Sequence, residues 1–457
     1  MSKEKVVGST RLGTAPVPGL LIKMGLPIIA SMLIQALYNI VDSIFVARLG
    51  QTALNAVSLA YPVQNLIVAV ACGIGVGIST KVSHQLGRKD EGAARRTAAH
   101  GLVAALACWL LFALLTWFLA DRFLALFTDR TDTVAMGSSY LRIVGLCSFG
   151  VFIQIFTERL LSATGRSIHT MWTQLSGAVI NIIMDPLLIF GIGPFPRLGV
   201  TGAAVATVMG QIFGALLGLF LNHIANKDVP IRLRGTQFSP ATFRSIFGIG
   251  SATMVIMSIS SVTISCLNAI LAPLSVIAVN ILGIYLKVES FVFMPSFGIT
   301  NALVPIVSYN YGARDKKRLL EAVRFALLIC FLMMTSGMLL VQFGAHPLLT
   351  LFNATDEMYR YGMSALRIIA CSFPVAAINV VITNVFQALR WPLYSMAATI
   401  TRQLFILLPS AALLAFQFGP GAVWHAYWIA ELVALAMMLF LYRRIYRTLI
   451  LPLPDRP

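Results

Sequence analysis

Four carboxylates in this sequence stand where carboxylates are expensive. Asp42, Asp185, Glu289 and Glu431 each fall inside a long apolar stretch. A charged carboxylate at membrane depth costs at least about 2.5–3.5 kcal/mol unless it is paired, hydrated or protonated, so such residues are functional candidates by default. Glu158 also lies in an apolar stretch, but it sits near the end beside Arg159 and reads as interfacial. Asp42 and Asp185 form a natural pair. Each lies six residues before the end of its run, at Arg48 and Gly191 respectively, or about 9 Å down a helix rising 1.5 Å per residue. Asn181 stands four residues before Asp185 and Tyr38 four before Asp42, with Asn39 adjacent. Spacing of four puts such residues on one helical face, a turn apart. Two carboxylates, an amide and a phenol suit a proton or a sodium ion, because the acids can carry the proton and hard oxygens ligate the metal.

Two prolines add a mechanical element. Pro27 cannot donate to the carbonyl of Lys23, and Pro186, next to Asp185, frees the carbonyl of Ile182. Interrupted helices in membranes survive where they line a cavity or gain other partners, so Pro27 and Pro186 are hinge candidates. Glu289 lies deep in its own stretch, at a position that an internal repeat pairs with Gln64; both are candidates for lining a cavity. Glu431 has no supporting constellation and reads as structurally paired.

Other chemistries lack their parts. The six histidines (His84, His100, His169, His223, His346, His425) are dispersed without ligand spacing, and the six cysteines show no CxxC pair. Gly73, Gly75 and Gly77 lie within an apolar run and read as close helix packing rather than a phosphate loop. Neither an enzyme nor an ATP-driven pump is expected, and no cofactor beyond a coupling ion is implied.

The elements that must position these residues are transmembrane helices. Of 457 residues 58% are hydrophobic and 11% charged, with a mean hydropathy of +0.84; soluble domains carry roughly 25% charged residues. Apolar runs of bilayer-spanning length, roughly 20 residues, recur at 18–47, 55–80, 98–120, 136–158, 168–191 and 199–225. Six more follow at 245–271, 275–307, 321–344, 361–387, 393–418 and 422–442, giving twelve. The first is too long for a signal peptide and has no small-residue cleavage pattern. The formal net charge of +17 gathers in alternate loops, among them Arg88, Lys89, Arg95 and Arg96, then Arg314, Lys316, Lys317 and Arg318. That is a positive-inside pattern with both termini cytoplasmic, not a nucleic-acid surface.

The chain also repeats. Val82-Ser83-His84-Gln85-Leu86-Gly87-Arg88-Lys89-Asp90, shifted by 225 positions, meets Val307-Ser308-Tyr309-Asn310-Tyr311-Gly312-Ala313-Arg314-Asp315. Leu141-Arg142-Ile143 meets Leu366-Arg367-Ile368 at the same shift. The expectation is an all-α polytopic membrane protein with a six-helix lobe at 1–225, a cytoplasmic linker at 226–242 and a second lobe at 243–457. An even number of spans per half makes the repeats parallel, related by a pseudo-two-fold along the membrane normal, with the site near mid-membrane.

Several segments together resemble one family. Pro27, Gln35-Ala36-Leu37-Tyr38-Asn39-Ile40-Val41-Asp42 and Arg48-Leu49-Gly50 are similar to the first span of the multidrug and toxic compound extrusion (MATE) family. Gln85-Leu86-Gly87-Arg88-Lys89-Asp90, Ala163-Thr164-Gly165-Arg166, Asn181-Ile182-Ile183-Met184-Asp185-Pro186, Lys287-Val288-Glu289-Ser290-Phe291 and Tyr311-Gly312 through Asp315 fit it too. The resemblance implies two lobes around a cleft and export of cationic drugs in exchange for H+ or Na+. It implies an ion site in the first lobe at Asp42, Asn181 and Asp185, a metal site only if the ion is Na+. Some members use acids in the seventh and tenth spans, and this chain has none there. It also lacks a glycine in Ala388-Leu389-Arg390-Trp391-Pro392, where the first half has Gly165.

The sequence therefore reads as a secondary multidrug antiporter of a bacterial-type inner membrane. It is expected to work as a monomer on small organic cations, with the lipid bilayer as its other partner. Gln35, Tyr38, Asn39, Gln64 and Glu289 are candidates for the substrate cavity. The rival reading is a lipid-linked precursor flippase on a related two-lobed scaffold. That would call for a basic cavity, whereas basic residues within spans are few, Arg142, Lys287, Arg367 and Arg402 among them.

Overall fold

A computed structural model describes residues 10–352 and 354–454. The extreme termini, expected from the charge pattern to be cytoplasmic, lie outside the described residues. Among those described the secondary structure is helical throughout. After a single turn, α1 (Arg11–Thr14), come α2 (Val17–Ala47), α3 (Gln51–Gly87), α4 (Glu91–Ala125), α5 (Thr131–Leu146), α6 (Phe149–Ala163), α7 (Ser167–Phe190) and α8 (Val200–Ala225). The second half continues with α9 (Pro240–Leu271), α10 (Val276–Gly312), α11 (Lys316–Leu351), α12 (Asp356–Ala370) and α13 (Phe373–Ala388). Next come α14 (Pro392–Ile400), a π-helical segment Thr401–Leu407, α15 (Leu408–Phe418) and α16 (His425–Ile445).

Ten of these stretches are long and apolar enough to cross a membrane by themselves, and two bent pairs bring the number of spans to twelve. The pairs are α5 with α6 and α12 with α13, each bent by 44°. Both bends fall on a Cys-Ser step, and in each the serine hydroxyl donates to a carbonyl three residues back: Ser148 to Gly145 at 2.8 Å, Ser372 to Ile369 at 2.7 Å. A side chain that competes for backbone carbonyls is a recognised cause of helix bending. The outer surface is greasy, as a lipid-facing surface must be: Phe343 and Phe416 are each 84% exposed.

The repeat is written in the backbone as well as in the letters. Asp90 caps α4 by accepting from the Ala93 N–H at 2.9 Å, and Asp315 caps α11 by accepting from the Arg318 N–H at 3.0 Å. The residues before them, Lys89 and Arg314, hold φ of 61° and 56°. Ser83 donates to the Ala163 carbonyl at 3.0 Å and Ser308 to the Ala388 carbonyl at 2.9 Å. Gly165 has φ 76°, and the residue in its place, Arg390, holds φ 66°. The second half thus keeps the left-handed turn without the glycine, at a steric cost of about 1–2 kcal/mol.

The chain divides into two compact units. One is built on Leu26–Met254; the other runs from Val255 onward and takes in Pro16–Gly25. Within the first, the stretch after α8 is tied down at both ends. Arg166 donates to Asp228 at 2.8 Å, and the Ser239 N–H donates to His100 Nε2 at 2.8 Å. The Gly73–Gly77 run does pack backbone to backbone, since the carbonyls of Gly250 and Ile246 occupy the space a Cβ would need on Gly73 and Gly77.

Candidate functional site

The first unit gathers its polar residues from five helices. α2 and α7 meet at Phe45 and Phe190, just beyond Asp42 and Asp185 along their helices; the two rings lie edge to face at 6.1 Å between centroids. Asp185 is wholly buried, Asn181 nearly so, and Asp42 is half-buried. Asn181 donates to Asp185 Oδ1 at 3.4 Å and to Thr207 of α8 at 3.5 Å. Asp42 and Asp185 lie close enough to interact electrostatically. Tyr140 of α5, fully buried, feels both aspartates and donates to Gln64 of α3 at 3.2 Å. Tyr38 interacts with Asp42 and is hydrogen-bonded to Gln35.

Three oxygens of this cluster are buried without a hydrogen-bond partner: Asp42 Oδ1, Asp185 Oδ2 and Asn181 Oδ1. Orphaned buried acceptors are rare because each carries an uncompensated desolvation cost of about 1–3 kcal/mol. A proton on one carboxylate, or a small cation among the three, relieves that cost. Among the described residues no three His, Cys, Asp or Glu side chains could hold a metal ion, so a sodium site here would depend on the Asn181 amide and on hydroxyl or carbonyl oxygens.

Of the residues read from the sequence, Asp42, Asp185, Asn181, Tyr38, Gln35 and Gln64 meet in this cluster. Asn39 does not: its position on α2 is exposed. Both α2 and α7 continue as helices through Pro27 and Pro186. Tyr140 and Thr207 were missed, and their only signal is a buried hydroxyl in an apolar run. Glu158, read as interfacial, has partners the sequence did not name: its carboxylate accepts from Gln154 at 3.1 Å, Thr173 at 2.9 Å and Gln174 at 3.1 Å. The Gln at i−4 was the one local hint.

Glu289 belongs to the second unit. It is hydrogen-bonded to Tyr285 one turn earlier and interacts with Arg402 and Glu431. Glu431 pairs with Arg402, and Asn379 donates to it at 2.6 Å; it is structurally paired, as its isolation in the sequence suggested.

Comparison with known proteins bears on the whole chain. A family model described as MatE matches residues 27–187 and 251–413. A FAD transporter of Shewanella oneidensis is 25% identical over 432 residues, spanning 94% of this chain and 96% of that protein. The multidrug export protein MepA of Staphylococcus aureus is 26% identical over 433 residues, 94% of each. Among solved structures, an outward-facing multidrug resistance MATE family transporter of the MOP superfamily superposes with a TM-score of 0.90 at 23% identity. It covers 97% of this chain and 99% of that one. A MOP superfamily transporter of Pyrococcus furiosus, described as having a binding pocket of reverse polarity, also reaches 0.90 at 22% identity. These two likenesses establish the fold.

Proposed function

Because the chain belongs to the MATE family, a multi-pass membrane family whose relatives are named as transporters and exporters rather than enzymes, we propose that it is a secondary antiporter. It exports small organic compounds, mainly cations, in exchange for H+ or Na+, from a bacterial-type inner membrane with both termini in the cytoplasm. The coupling ion binds at Asp42, Asp185 and Asn181. Gln35, Tyr38, Asn39, Gln64 and Glu289 are the residues assigned to the substrate cavity in this reading, and Pro27 and Pro186 let α2 and α7 respond to the ion's arrival. Lobes at 1–225 and 243–457, joined by 226–242 and acting within a monomer, would rearrange as the ion binds.

The observation that carries the reading is the set of three partnerless buried oxygens on two adjacent helices. Loading an ion there stabilises one arrangement of the helices and unloading it stabilises another, which is what antiport requires of a coupling site. Cations are favoured over a substrate like that of the relative named as a FAD transporter because carboxylates, not basic groups, dominate the polar cluster around Asp42 and Asp185. The same imbalance disfavours a flippase for pyrophosphate-linked lipids.

The test is uptake of a fluorescent lipophilic cation into inverted vesicles, with pH and Na+ gradients imposed separately. Uptake driven by one gradient and collapsed by dissipating it supports antiport and names the ion. Uptake indifferent to both gradients would sink it.

A further inference from the structure

The second unit contains a cavity of about 120 Å3 that the coupling cluster does not use. Its wall carries Tyr285, Glu289, Phe293, Arg402, Tyr427 and Glu431. We propose that this cavity is a binding site for the ammonium head group of an organic monocation, which would complete an unbalanced buried charge set. The proposal rests on the export reading above and adds where the cargo's charge is held.

The charge count is the first support. Arg402 is bonded to Glu431 and interacts with Glu289 as well, so one guanidinium serves two carboxylates. Glu431 is fully served, by Arg402 and by the Asn379 amide, which also donates to the Glu431 carbonyl at 3.0 Å. Glu289 is hydrogen-bonded to the Tyr285 hydroxyl and shares the Arg402 charge with Glu431. Among the described residues that line the cavity, no second Lys, Arg or His offers it a positive partner. A cationic ligand would bring the set to balance, where an anionic one would add a third negative charge in a medium of low dielectric.

The walls support the same ligand. Tyr285 and Tyr427 meet edge to face at 5.0 Å, leaving aromatic surface beside the Glu289 carboxylate. Aromatic faces next to a carboxylate are a recurring receptor for substituted ammonium groups, which cannot use many hydrogen bonds. Size narrows the class: a dry cavity of about 150 Å3 holds one benzene ring, so this one takes a head group and not a whole polycyclic drug.

The helix supplying Arg402 is built for the cavity. Thr401–Leu407 is π-helical, and both Arg402 and Leu407 line the cavity. An α-helix would turn residues five apart by about 140° from one another. An i→i+5 turn stacks them on one face, a distortion usually kept where a side chain must be aimed at a function. Gln403 is held by Thr263, whose hydroxyl donates to it at 3.2 Å.

Binding of benzyltrimethylammonium to the purified full chain, measured by calorimetry without any gradient, tests this directly, with uncharged neopentylbenzene as the isostere. The expected result is that Glu289→Gln and Tyr427→Leu each weaken the cation about tenfold and leave the neutral compound unchanged. Asp185→Asn should lose gradient-driven transport, while Ser410→Ala, outside both the coupling cluster and the cavity wall, should bind the cation as wild type does. Thermal melting of each variant checks that it folds. Wild-type affinity in both Glu289→Gln and Tyr427→Leu would overturn the proposal and leave the coupling site untouched. So would a loss shared equally by the neutral isostere, or wild-type binding confined to the neutral compound.

Discussion

The two halves of this molecule share a frame and differ in what the frame holds. At a shift of 225 the caps Asp90 and Asp315, the serine bonds of Ser83 and Ser308 and the left-handed turns at Gly165 and Arg390 coincide. The polar interiors do not. Asp185, Asn181 and Tyr140 correspond to Ser410, Ile406 and Ala365, while Tyr285, Arg402 and Glu431 correspond to Ala60, Gly177 and Ala206. Duplication thus preserved what ends and bends helices, because any membrane helix must satisfy its terminal N–H groups and carbonyls. The buried charges were free to diverge, and each half acquired its own. The cluster of the first half holds Asp42 and Asp185 with, among the described residues, no basic side chain bonded to either; the second half neutralises Glu431 with Arg402.

That contrast can be broken by substitution, and the largest effect belongs to the first half. Asp185→Asn and Asp42→Asn should each abolish gradient-driven transport with normal membrane expression, read as cation uptake into inverted vesicles. Ser410→Ala, at the position corresponding to Asp185, should leave transport as it is. Transport surviving in both aspartate variants would show that the halves do not differ in the way claimed.

Next in size is Glu431→Ala. Arg402 would lose the carboxylate it is bonded to and keep only its interaction with Glu289, at a cost approaching the about 3–5 kcal/mol of a broken buried pair, seen as a drop in melting temperature in detergent. Removing Arg402 at the same time should restore part of that loss. A Glu431→Ala protein as stable as wild type would mean that the pair is not buried in effect.

Smaller again is the left-handed turn. Gly165→Ala should lose about 1 kcal/mol, and Arg390→Gly should gain about as much. Opposite signs at equivalent positions would show that the second half tolerates strain which the first avoids. Equal signs would show that tertiary contacts of Arg390 outweigh its backbone.

The smallest effects should be the most alike. Ser83→Ala and Ser308→Ala each remove one buried hydroxyl bond across helices, worth about 1 kcal/mol. A twofold difference between them would weaken the idea of a common frame.

These distinctions also explain how far the sequence could be read. Helix ends and the repeat were legible because caps, glycines and charge runs act locally, within a few residues of the element they delimit. Asp185 with Asn181 was legible because residues four apart share a helical face. The partners of Glu158 were not, since Thr173 and Gln174 come from α7 and only folding brings that helix alongside α6. The Arg402–Glu431–Asn379 set was beyond reach for the same reason, drawing on three separate helices. Its π-helical register adds a second obstacle, because a pattern of apolar residues gives no sign of one wider turn. Asn39 shows the limit of adjacency: it follows Tyr38 in sequence, but neighbours on a helix point in different directions, and its exposed position keeps it out of the buried cluster.

The central claim, that an ion held by the first half drives export, is tested most directly by comparing three proteins in one assay. Inverted vesicles carrying wild type, Asp185→Asn or Glu289→Gln would be given the productive gradient, and the counter-movement of H+ or Na+ recorded on addition of substrate. The account predicts ion movement in the wild type, none in Asp185→Asn at any substrate concentration, and recovery in Glu289→Gln when substrate is raised. Substrate-dependent ion movement in Asp185→Asn equal to wild type would contradict it.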